Sequence, residues 1–217
     1  MSAIKEDYIK VMFELGGKSR TVGNKAVAER LDIAPPTVTE MMHSLVSAGW
    51  VKYTKYKGAI LTDSGTNYAK HIIRKHRLWE VFLVEKLGFP IDEVHKEAEL
   101  LEHVTGDKVA EKLEAYLDSP RFCPHGGAIR FDEMDRQEAE LIALDEVPVG
   151  SQVKISRIVD EEKLLSFFKN QQCDIGDVII IKDIDVQIGL MTTFNVTKDQ
   201  ELQLSVSLSK YLFVEYN

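Results

Sequence analysis

The sequence has little of what defines several large classes of protein. Its 217 residues include only two cysteines, Cys123 and Cys173, too few for the disulfide framework of a small secreted domain. The longest aliphatic run covers only residues 178–181, whereas a helix that spans a bilayer needs about 20 apolar residues. The first ten residues lack the apolar core of a signal peptide. We therefore expect a cytoplasmic protein without a membrane segment.

The chain also lacks an overall excess of positive charge. Its formal net charge is −8, which taken alone argues against a nucleic-acid partner. The charges are unevenly placed, however: residues 1–75 carry 12 Lys and Arg against 7 Asp and Glu, whereas residues 76–146 carry 8 against 18. A basic first third followed by an acidic middle predicts different partners for the two segments.

The basic first third has the order of elements of a winged helix-turn-helix. Apolar residues recur at helical spacing over residues 4–15, and Asn24 is placed to cap a second helix. Pro35 and Pro36 then suit the first turn of a third helix. Two short strands, 50–54 and 59–62, follow around the turn 55–58. Helix, helix, turn, helix and hairpin in this order predict a DNA-binding domain.

The residues expected to contact DNA lie at the start of the third helix and on the hairpin. A recognition helix presents its N-terminal residues to base edges, and cations interleaved with aromatics suit contacts to phosphates. The predicted set is Pro36, Thr37, Thr39 and Glu40 on the helix, with Lys52, Lys55, Tyr56 and Lys57 on the hairpin. The alternative is a solvated basic hairpin on an unrelated helical domain.

The remainder of the chain changes from helices to strands. Helical patterns cover residues 68–87, 91–105 and 107–117, and residues 132–143 form an acidic segment with some helical character. Residues 147–150 mark a domain boundary, after which strands are predicted at 152–158, 178–184, 187–189 and beyond, 202–208 and 212–215, with a short helix near 161–170. The predicted fold is mainly α, with a C-terminal all-β barrel domain.

The acidic middle also contains a pattern suited to a divalent metal. His76 and Glu80 are four residues apart on one predicted helix, and Glu99, Glu102 and His103 share one face of a later helix. Mixed nitrogen and oxygen donors suit Mn(II) or Fe(II). The alternative is a solvated acidic helix face. The sequence contains no H-E-x-x-H motif, phosphate-binding glycine loop or nucleophile elbow, so we expect no enzyme.

A resemblance sharpens this interpretation. The run from Arg74 to Glu80, then His95, then Glu99-Leu100-Leu101-Glu102-His103, placed after a winged helix, resembles the diphtheria-toxin-repressor or iron-dependent-repressor family. The manganese-responsive members, of the MntR and SloR/ScaR type, look most similar. The resemblance implies a DNA-binding domain (1–70), a helical metal-binding and dimerisation domain (71–146) and an SH3-like barrel (147–217). It also implies a homodimer that binds inverted-repeat operator DNA when metal-loaded and controls metal-uptake genes.

The resemblance implies a primary metal site on the first helix and on the E-x-x-E-H helix. Its ligands would be Asp7, Glu99, Glu102 and His103, with Cys123 either an additional ligand or a small apolar filler. Iron-responsive members carry Met and Cys at the positions of Asp7 and Glu99, so carboxylates there favour Mn(II) while leaving Fe(II) as the other candidate. Some manganese-responsive relatives have Glu where this chain has Lys10, which argues against their two-manganese cluster.

The resemblance implies an ancillary metal site formed by His76, Glu80, His95 and Asp160. A second ligand from the barrel would fall at Lys163, which cannot bind a metal while protonated. His43, His71 and His125 match no family role and are expected to serve packing, as is Cys173. Two other classes stay open at this point: a winged-helix regulator of a small organic ligand, and a metal-dependent enzyme or carrier that does not bind DNA.

Overall fold

The computed structural model describes residues 2–159 and 162–216, and the chain divides into two compact units. The first unit contains the residues up to 79 together with 99–112, and the second contains 80–98 and the residues from 113 onward. The predicted three domains (1–70, 71–146 and 147–217) divide the chain differently, and their boundaries stay a prediction. Within the described residues, no helix combines the length and apolar character that crossing a membrane requires.

The first unit begins with a three-helix domain. Its helices are α1 (Ala3–Glu14), α2 (Asn24–Arg30) and α3 (Pro35–Ser47). Ile9, Met12 and Phe13 of α1 and Val38 and Met42 of α3 are buried, as their helical spacing predicts. Because a proline in the first turn sacrifices no helical hydrogen bond, α3 begins at the predicted position.

A two-stranded hairpin follows the three helices and forms the wing. Strand β1 (Val51–Thr54) pairs antiparallel with β2 (Gly58–Leu61). Gly58 has φ +109°, and a Cβ atom there would lie 2.1 Å from the carbonyl oxygen of Val22. Only glycine allows this close approach, which lets the Val22 amide donate to the Ala59 oxygen at 2.8 Å. The predicted winged helix-turn-helix is confirmed: β1 begins one residue later than predicted, and β2 lies one residue earlier in the chain.

Three further helices link the wing to the rest of the chain. They are α4 (Asp63–Leu87), α5 (Val94–Val104) and α6 (Asp107–Tyr116), and each contributes residues to both units. A single long helix, α4, replaces the predicted segment 68–87 and starts directly after the wing. Helix α7 (Phe131–Glu140) covers most of the acidic segment 132–143, for which some helical character was predicted, whereas residues 142–143 form a strand.

The second unit contains a six-stranded antiparallel sheet among its described residues. The strands are β3 (Ile142–Ala143), β4 (Gln152–Ile158), β5 (Val178–Asp185), β6 (Leu190–Asn195), β7 (Gln200–Ser205) and β8 (Leu212–Tyr216), in the order β3-β8-β4-β5-β6-β7. Helix α8 (Glu162–Asn170) packs Leu164 and Phe168 into the core beneath this sheet. A C-terminal β region with a helix near residues 161–170 is therefore confirmed.

Two predicted strand segments have wrong bounds. The strand predicted at 187–189 and beyond begins only at Leu190, because residues 186–189, which include Val186 and Ile188, form the turn between β5 and β6. Their side chains are exposed, so no sheet face buries them. Strand β7 ends at Ser205, whose side-chain oxygen accepts a hydrogen bond from the amide of Leu208 and so begins a short helix, α9 (Val206–Ser209).

Candidate metal centres and DNA-binding surface

The first group of metal-type ligands lies in the first unit. Asp7 comes from α1, and Glu102 and His103 come from α5. Their ligand atoms all lie within 4.8 Å of one another; Nε2 of His103 is 2.9 Å from Oδ1 of Asp7 and 3.6 Å from Oε1 of Glu102. We call these three residues the His103 cluster. Two carboxylates and one imidazole converge on a volume that a single divalent cation could fill.

Lys10 is buried directly beside the His103 cluster. Its Nζ atom donates to both carboxylate oxygens of Glu102, at 3.0 and 3.2 Å, and lies 3.6 Å from Oε1 of Glu99. The predicted ligand Glu99 therefore faces an ammonium group, and its side chain is otherwise nearly half exposed. The ammonium group of Lys10 therefore already contacts two predicted primary ligands, Glu99 and Glu102.

The opposite charges of Lys10 and Glu102 stabilise each other. Burial lowers the pKa of Lys10, but the carboxylates of Glu102, Glu14 and Glu99 outweigh it and hold that pKa above its usual value. Burial raises the pKa of Glu102, but Lys10 and His76 outweigh it and hold that pKa below its usual value. Both side chains are therefore charged at neutral pH, so Glu102 keeps an ionised oxygen for a metal.

Asp7 behaves differently from Glu102. Burial raises the pKa of Asp7 above its usual value, and the opposing effects of His103 and Lys10 do not cancel this. A bound divalent cation would favour the ionised form of Asp7. The donor chemistry therefore fits a metal: the cluster combines an ionised carboxylate, an imidazole and a carboxyl group that a nearby cation would help to ionise.

His76, predicted as an ancillary ligand, contacts the His103 cluster through Glu102. Its Nδ1 atom is 2.5 Å from Oε2 of Glu102 and 3.2 Å from Nζ of Lys10. An ionised carboxylate can only accept a hydrogen bond, so the shorter contact places a proton on Nδ1. The lone pair of the neutral ring is then on Nε2. Of the other predicted ancillary ligands, Glu80 and His95 belong to the second unit, and Asp160 lies outside the described residues.

A second group of ligand types lies in the second unit. Glu80, Cys123 and His125 are all buried, and their ligand atoms lie within 4.8 Å of one another. Nδ1 of His125 is 3.0 Å from Oε1 of Glu80, while its Nε2 is 3.0 Å from the carbonyl oxygen of Ile91. A carbonyl can only accept, so Nε2 carries a proton and donates it to Ile91. A neutral ring then directs its Nδ1 lone pair at Glu80, an arrangement that a shared cation would satisfy.

The loop that carries Cys123 and His125 is shaped by a tight turn. The amide of Gly126 donates to the carbonyl oxygen of Cys123 at 2.9 Å. Gly126 has φ +80°, and a Cβ atom there would lie 2.2 Å from the backbone oxygen of Ser156 in β4. Only glycine fits so close to the strand, and the turn brings the side chains of residues 123 and 125 to the same group, which we call the Cys123 cluster.

Sequence reasoning missed this second group. It gave His125 no role and assigned Cys123 to the primary site, whereas the structure groups Cys123 with His125 and Glu80. One signal was available: a Cys-x-His spacing followed by two glycines places two metal-ligand types on one tight turn. Their partner Glu80 is 45 positions away from His125 in the chain, and no local pattern links them.

The predicted DNA-contacting residues lie on one helix start and one hairpin of the first unit. Pro36, Thr37 and Glu40 are exposed and Thr39 is half-buried; on the hairpin, Lys52, Lys55, Tyr56 and Lys57 are all exposed. The side chain of Tyr56 is 91% exposed, at the tip of the wing. Exposed cations around an exposed aromatic ring suit contacts to nucleic-acid phosphates and sugars.

Asn24 connects the start of α3 to the wing. Sequence reasoning expected it to cap α2, but the capping position belongs to Gly23. Its Nδ2 atom donates instead to the hydroxyl oxygens of Thr39, at 2.9 Å, and of Tyr53, at 3.3 Å. One amide therefore fixes a residue of the third helix to a residue of β1.

Comparison with known families agrees with this arrangement. Residues 1–59 match the family described as "Iron dependent repressor, N-terminal DNA binding domain". Residues 62–130 match "Iron dependent repressor, metal binding and dimerisation domain". The winged helix and most of the metal-type ligands lie within these two matches.

Individual relatives extend the similarity to the whole chain. The iron-dependent repressor IdeR of Mycobacterium tuberculosis is 32% identical over 157 residues, covering 69% of this chain and 68% of IdeR. The structure of the manganese regulator SloR superposes with a TM-score of 0.80 at 31% identity, over 98% of each chain. The metal-dependent transcriptional regulator MtsR superposes with a TM-score of 0.85 at 34% identity, over 100% of each chain.

A winged helix joined to clustered carboxylates and histidines defines a metal-dependent, DNA-binding transcriptional repressor, which is not an enzyme. The chain belongs to the iron-dependent repressor family. Its two matched regions are those that the family uses to bind DNA, to bind metal and to dimerise.

Proposed function

We propose that this protein is a Mn(II)-activated repressor that binds inverted-repeat operator DNA and controls metal-uptake genes in the cytoplasm. The observation that carries this proposal is the composition of the His103 cluster. Asp7 and Glu102 supply oxygen and His103 supplies nitrogen, a donor set that suits Mn(II) better than a site containing thiolate or thioether. Fe(II) is the other candidate, because its ligand preferences overlap those of Mn(II).

The proposed mechanism follows from where the ligands come from. Asp7 lies on α1, within the region matched to the DNA-binding domain, whereas Glu102 and His103 lie in the region matched to the metal-binding and dimerisation domain. A metal held by all three would fix the winged helix relative to α5. In a homodimer this would set the spacing of the two recognition helices, which must match half-sites about one helical turn, or a multiple of it, apart. Metal would thus favour the DNA-binding conformer by binding it more tightly.

An exposed apolar surface supports the homodimer. Leu100 and Val104 of α5 and Val109 of α6 are exposed, and all three lie within the region matched to the dimerisation domain. Leu100 and Val104 are four residues apart and so share one face of α5, and exposed apolar residues on one face are typical of protein interfaces. Replacing Val104 with Lys should shift the protein towards monomer in sedimentation analysis.

We propose that the Cys123 cluster holds a second metal ion. Its thiol, imidazole and carboxylate make a softer donor set than that of the His103 cluster, so we expect it to prefer Zn(II) or Cd(II). A solved structure of the relative ScaR, 35% identical with a TM-score of 0.83 over 98% of this chain and 99% of that one, contains bound Zn²⁺. The predicted ancillary set of His76, Glu80, His95 and Asp160 is the competing assignment for Glu80.

A Cd(II) titration separates the two assignments, because thiolate ligation to Cd(II) produces an ultraviolet absorption band. If Glu80 serves the Cys123 cluster, His125→Ala should weaken the site that gives this band and His95→Ala should not. A Cd(II) site that gives no thiolate band and is weakened by His95→Ala would favour the ancillary set. Cys173→Ser is the matched control, since the buried Cys173 lies in the core beneath the sheet and belongs to neither set.

Isothermal titration with Mn(II) tests the His103 cluster separately. In the Cys123→Ser background we expect one Mn(II) bound per chain, and its loss in Glu102→Ala and His103→Ala. Glu99→Ala should weaken binding less if the side chain of Glu99 mainly faces Lys10. Heat that is unchanged by Glu102→Ala would contradict the assignment.

A further inference from the structure

The two ring nitrogens of His103 face different carboxylates. On one side, Nε2 faces Asp7 and Glu102 within the His103 cluster. On the other side, Nδ1 lies 2.6 Å from Oε2 of Glu6, which precedes Asp7 on α1. The sequence predicted no role for Glu6, because its neighbour Asp7 occupies the predicted ligand position.

Glu6 is itself held by a second contact. The hydroxyl of Tyr68 donates to Oε1 of Glu6 at 2.6 Å, and the ring of Tyr68 stacks on Trp50 with centroids 4.7 Å apart and planes at 14°. Burial, followed by the hydrogen bond to Glu6, raises the pKa of Tyr68 well above its usual value, so the hydroxyl stays protonated and donates. Both oxygens of Glu6 are therefore engaged, and its side chain is only 12% exposed.

These contacts determine which nitrogen of His103 can bind a metal. An ionised carboxylate accepts but cannot donate, so Glu6 retains a proton on Nδ1. The neutral ring then has its lone pair on Nε2, the atom that faces Asp7 and Glu102. Histidines that bind metals commonly donate their other N–H to a carboxylate, which fixes both the tautomer and the orientation of the ring.

We infer that Glu6 is a positioning residue for the His103 cluster: it holds Nδ1–H of His103 so that Nε2 faces the metal, and Tyr68 holds Glu6. Glu6 does not itself bind the metal in this arrangement. The inference rests on the proposed function and deepens it. It predicts that metal affinity at the His103 cluster depends on two residues that are not ligands.

The test uses Cd(II) as the probe and the full-length protein in a Cys123→Ser, His95→Ala background, in which the Cys123 cluster and the competing ancillary set each lack a ligand. We expect Glu6→Ala to weaken Cd(II) binding by about 10- to 100-fold, the usual effect of losing such a partner. Glu6→Gln should lose less Cd(II) affinity, because its amide oxygen can accept the same hydrogen bond. Tyr68→Phe keeps the ring and should lose the least Cd(II) affinity. Glu29→Ala, which removes an exposed carboxylate paired with Lys25, is the control and should change nothing.

Two further readouts separate positioning from damage to the fold. Nitrogen-15 NMR of the Cd(II)-loaded protein should show His103 ligated through Nε2 with a proton on Nδ1, and Glu6→Ala should lose this defined signature. With Cys123 restored, the cadmium–thiolate band should titrate identically in Glu6→Ala and in the parent chain. Should Glu6→Ala fail to fold, Glu6→Gln and Tyr68→Phe provide the test.

Unchanged Cd(II) affinity in all three variants, or ligation through Nδ1, would overturn the inference while leaving the His103 cluster intact as a metal site. If the Cys123→Ser, His95→Ala chain with Glu6 and Tyr68 intact binds no Cd(II), the proposed metal site is overturned, and the inference with it.

Discussion

The ammonium nitrogen of Lys10 lies 3.0 Å from Oε2 of Glu102, a predicted metal ligand, and both side chains are buried. A buried ion pair is costly to form and far more costly to break from one side, because the remaining charge loses its compensation. Lys10 therefore keeps Glu102 ionised and ordered in the absence of metal, and it also adds a positive charge next to the site that a metal would enter.

Replacing Lys10 with Met should destabilise the metal-free protein while strengthening its binding of metal. Loss of the ammonium leaves Glu102 buried with a weaker counter-charge, so urea unfolding in chelator should show a loss of about 3–5 kcal/mol. The cation no longer repels a divalent ion, and relief of about 1.4 kcal/mol would tighten Mn(II) binding roughly tenfold. Lys25→Met, at an exposed position of α2, is the control. Equal stability of the Lys10→Met and parent chains would contradict this role for Lys10.

The two cysteines should differ in their reactivity. Burial, together with the charge of Asp177, raises the pKa of Cys173 to about 12 from an ordinary value of 9.0. At pH 8 its thiolate fraction is therefore roughly a thousandfold below that of an ordinary thiol, and alkylation by iodoacetamide should be slow with or without metal. Alkylation of Cys123 by iodoacetamide should become slower when Cd(II) is added. Metal-dependent labelling of Cys173 instead would contradict the assignment of Cys123 to the metal cluster.

The same raised pKa affects stability at alkaline pH. Below about pH 9 the Cys173 thiol is protonated in both the folded and unfolded chain, so its titration has no effect there. As the pH rises from about 9 towards 12, only the unfolded chain releases this proton, and folding stability falls. In urea unfolding, Cys173→Ala should lose less free energy of unfolding than the parent chain as the pH rises from about 9 towards 12. An identical pH dependence in both proteins would show that the pKa of the Cys173 thiol is not raised by folding.

The wing lysines should contribute affinity without sequence preference. Lys55 and Lys57 are exposed beside Tyr56, where they can neutralise phosphates. Changing either to Ala should weaken binding to all duplexes alike and reduce the slope of log affinity against log salt by about 1. Lys112→Ala, at an exposed position of α6, is the control, because it removes the same charge. A salt slope that stays constant in the Lys55 and Lys57 variants would place the DNA contact elsewhere.

Asn24 should matter for DNA binding and not for metal binding. Asn24→Ala removes the hydrogen bonds to Thr39 and Tyr53, so the start of α3 and the wing lose a shared anchor. We expect specific DNA affinity to fall by about tenfold, equivalent to about 1.4 kcal/mol, while the Mn(II) titration stays unchanged. Asn24→Ser offers a shorter polar side chain and should recover little. Full DNA affinity in Asn24→Ala would show that α3 and the wing are held independently.

Much of the fold could be predicted because its signals are local. Pro35 and Pro36 mark the start of α3, and the E-x-x-E-H spacing brings Glu102 and His103 to one side of α5. The buried position of Lys10 could not be predicted, since lysine is seldom buried without partners. Those partners, His76 and Glu102, are 66 and 92 positions away. Contacts of this range are decided by how helices pack and not by any sequence window.

If metal at the His103 cluster switches on operator binding, fluorescence anisotropy with a duplex selected from a random library in Mn(II) should detect the switch. We predict that chelator weakens binding of the parent chain by at least a hundredfold, roughly 2.7 kcal/mol, and that His103→Ala binds the duplex weakly with or without Mn(II). Equal affinity of the parent chain in Mn(II) and in chelator would contradict it.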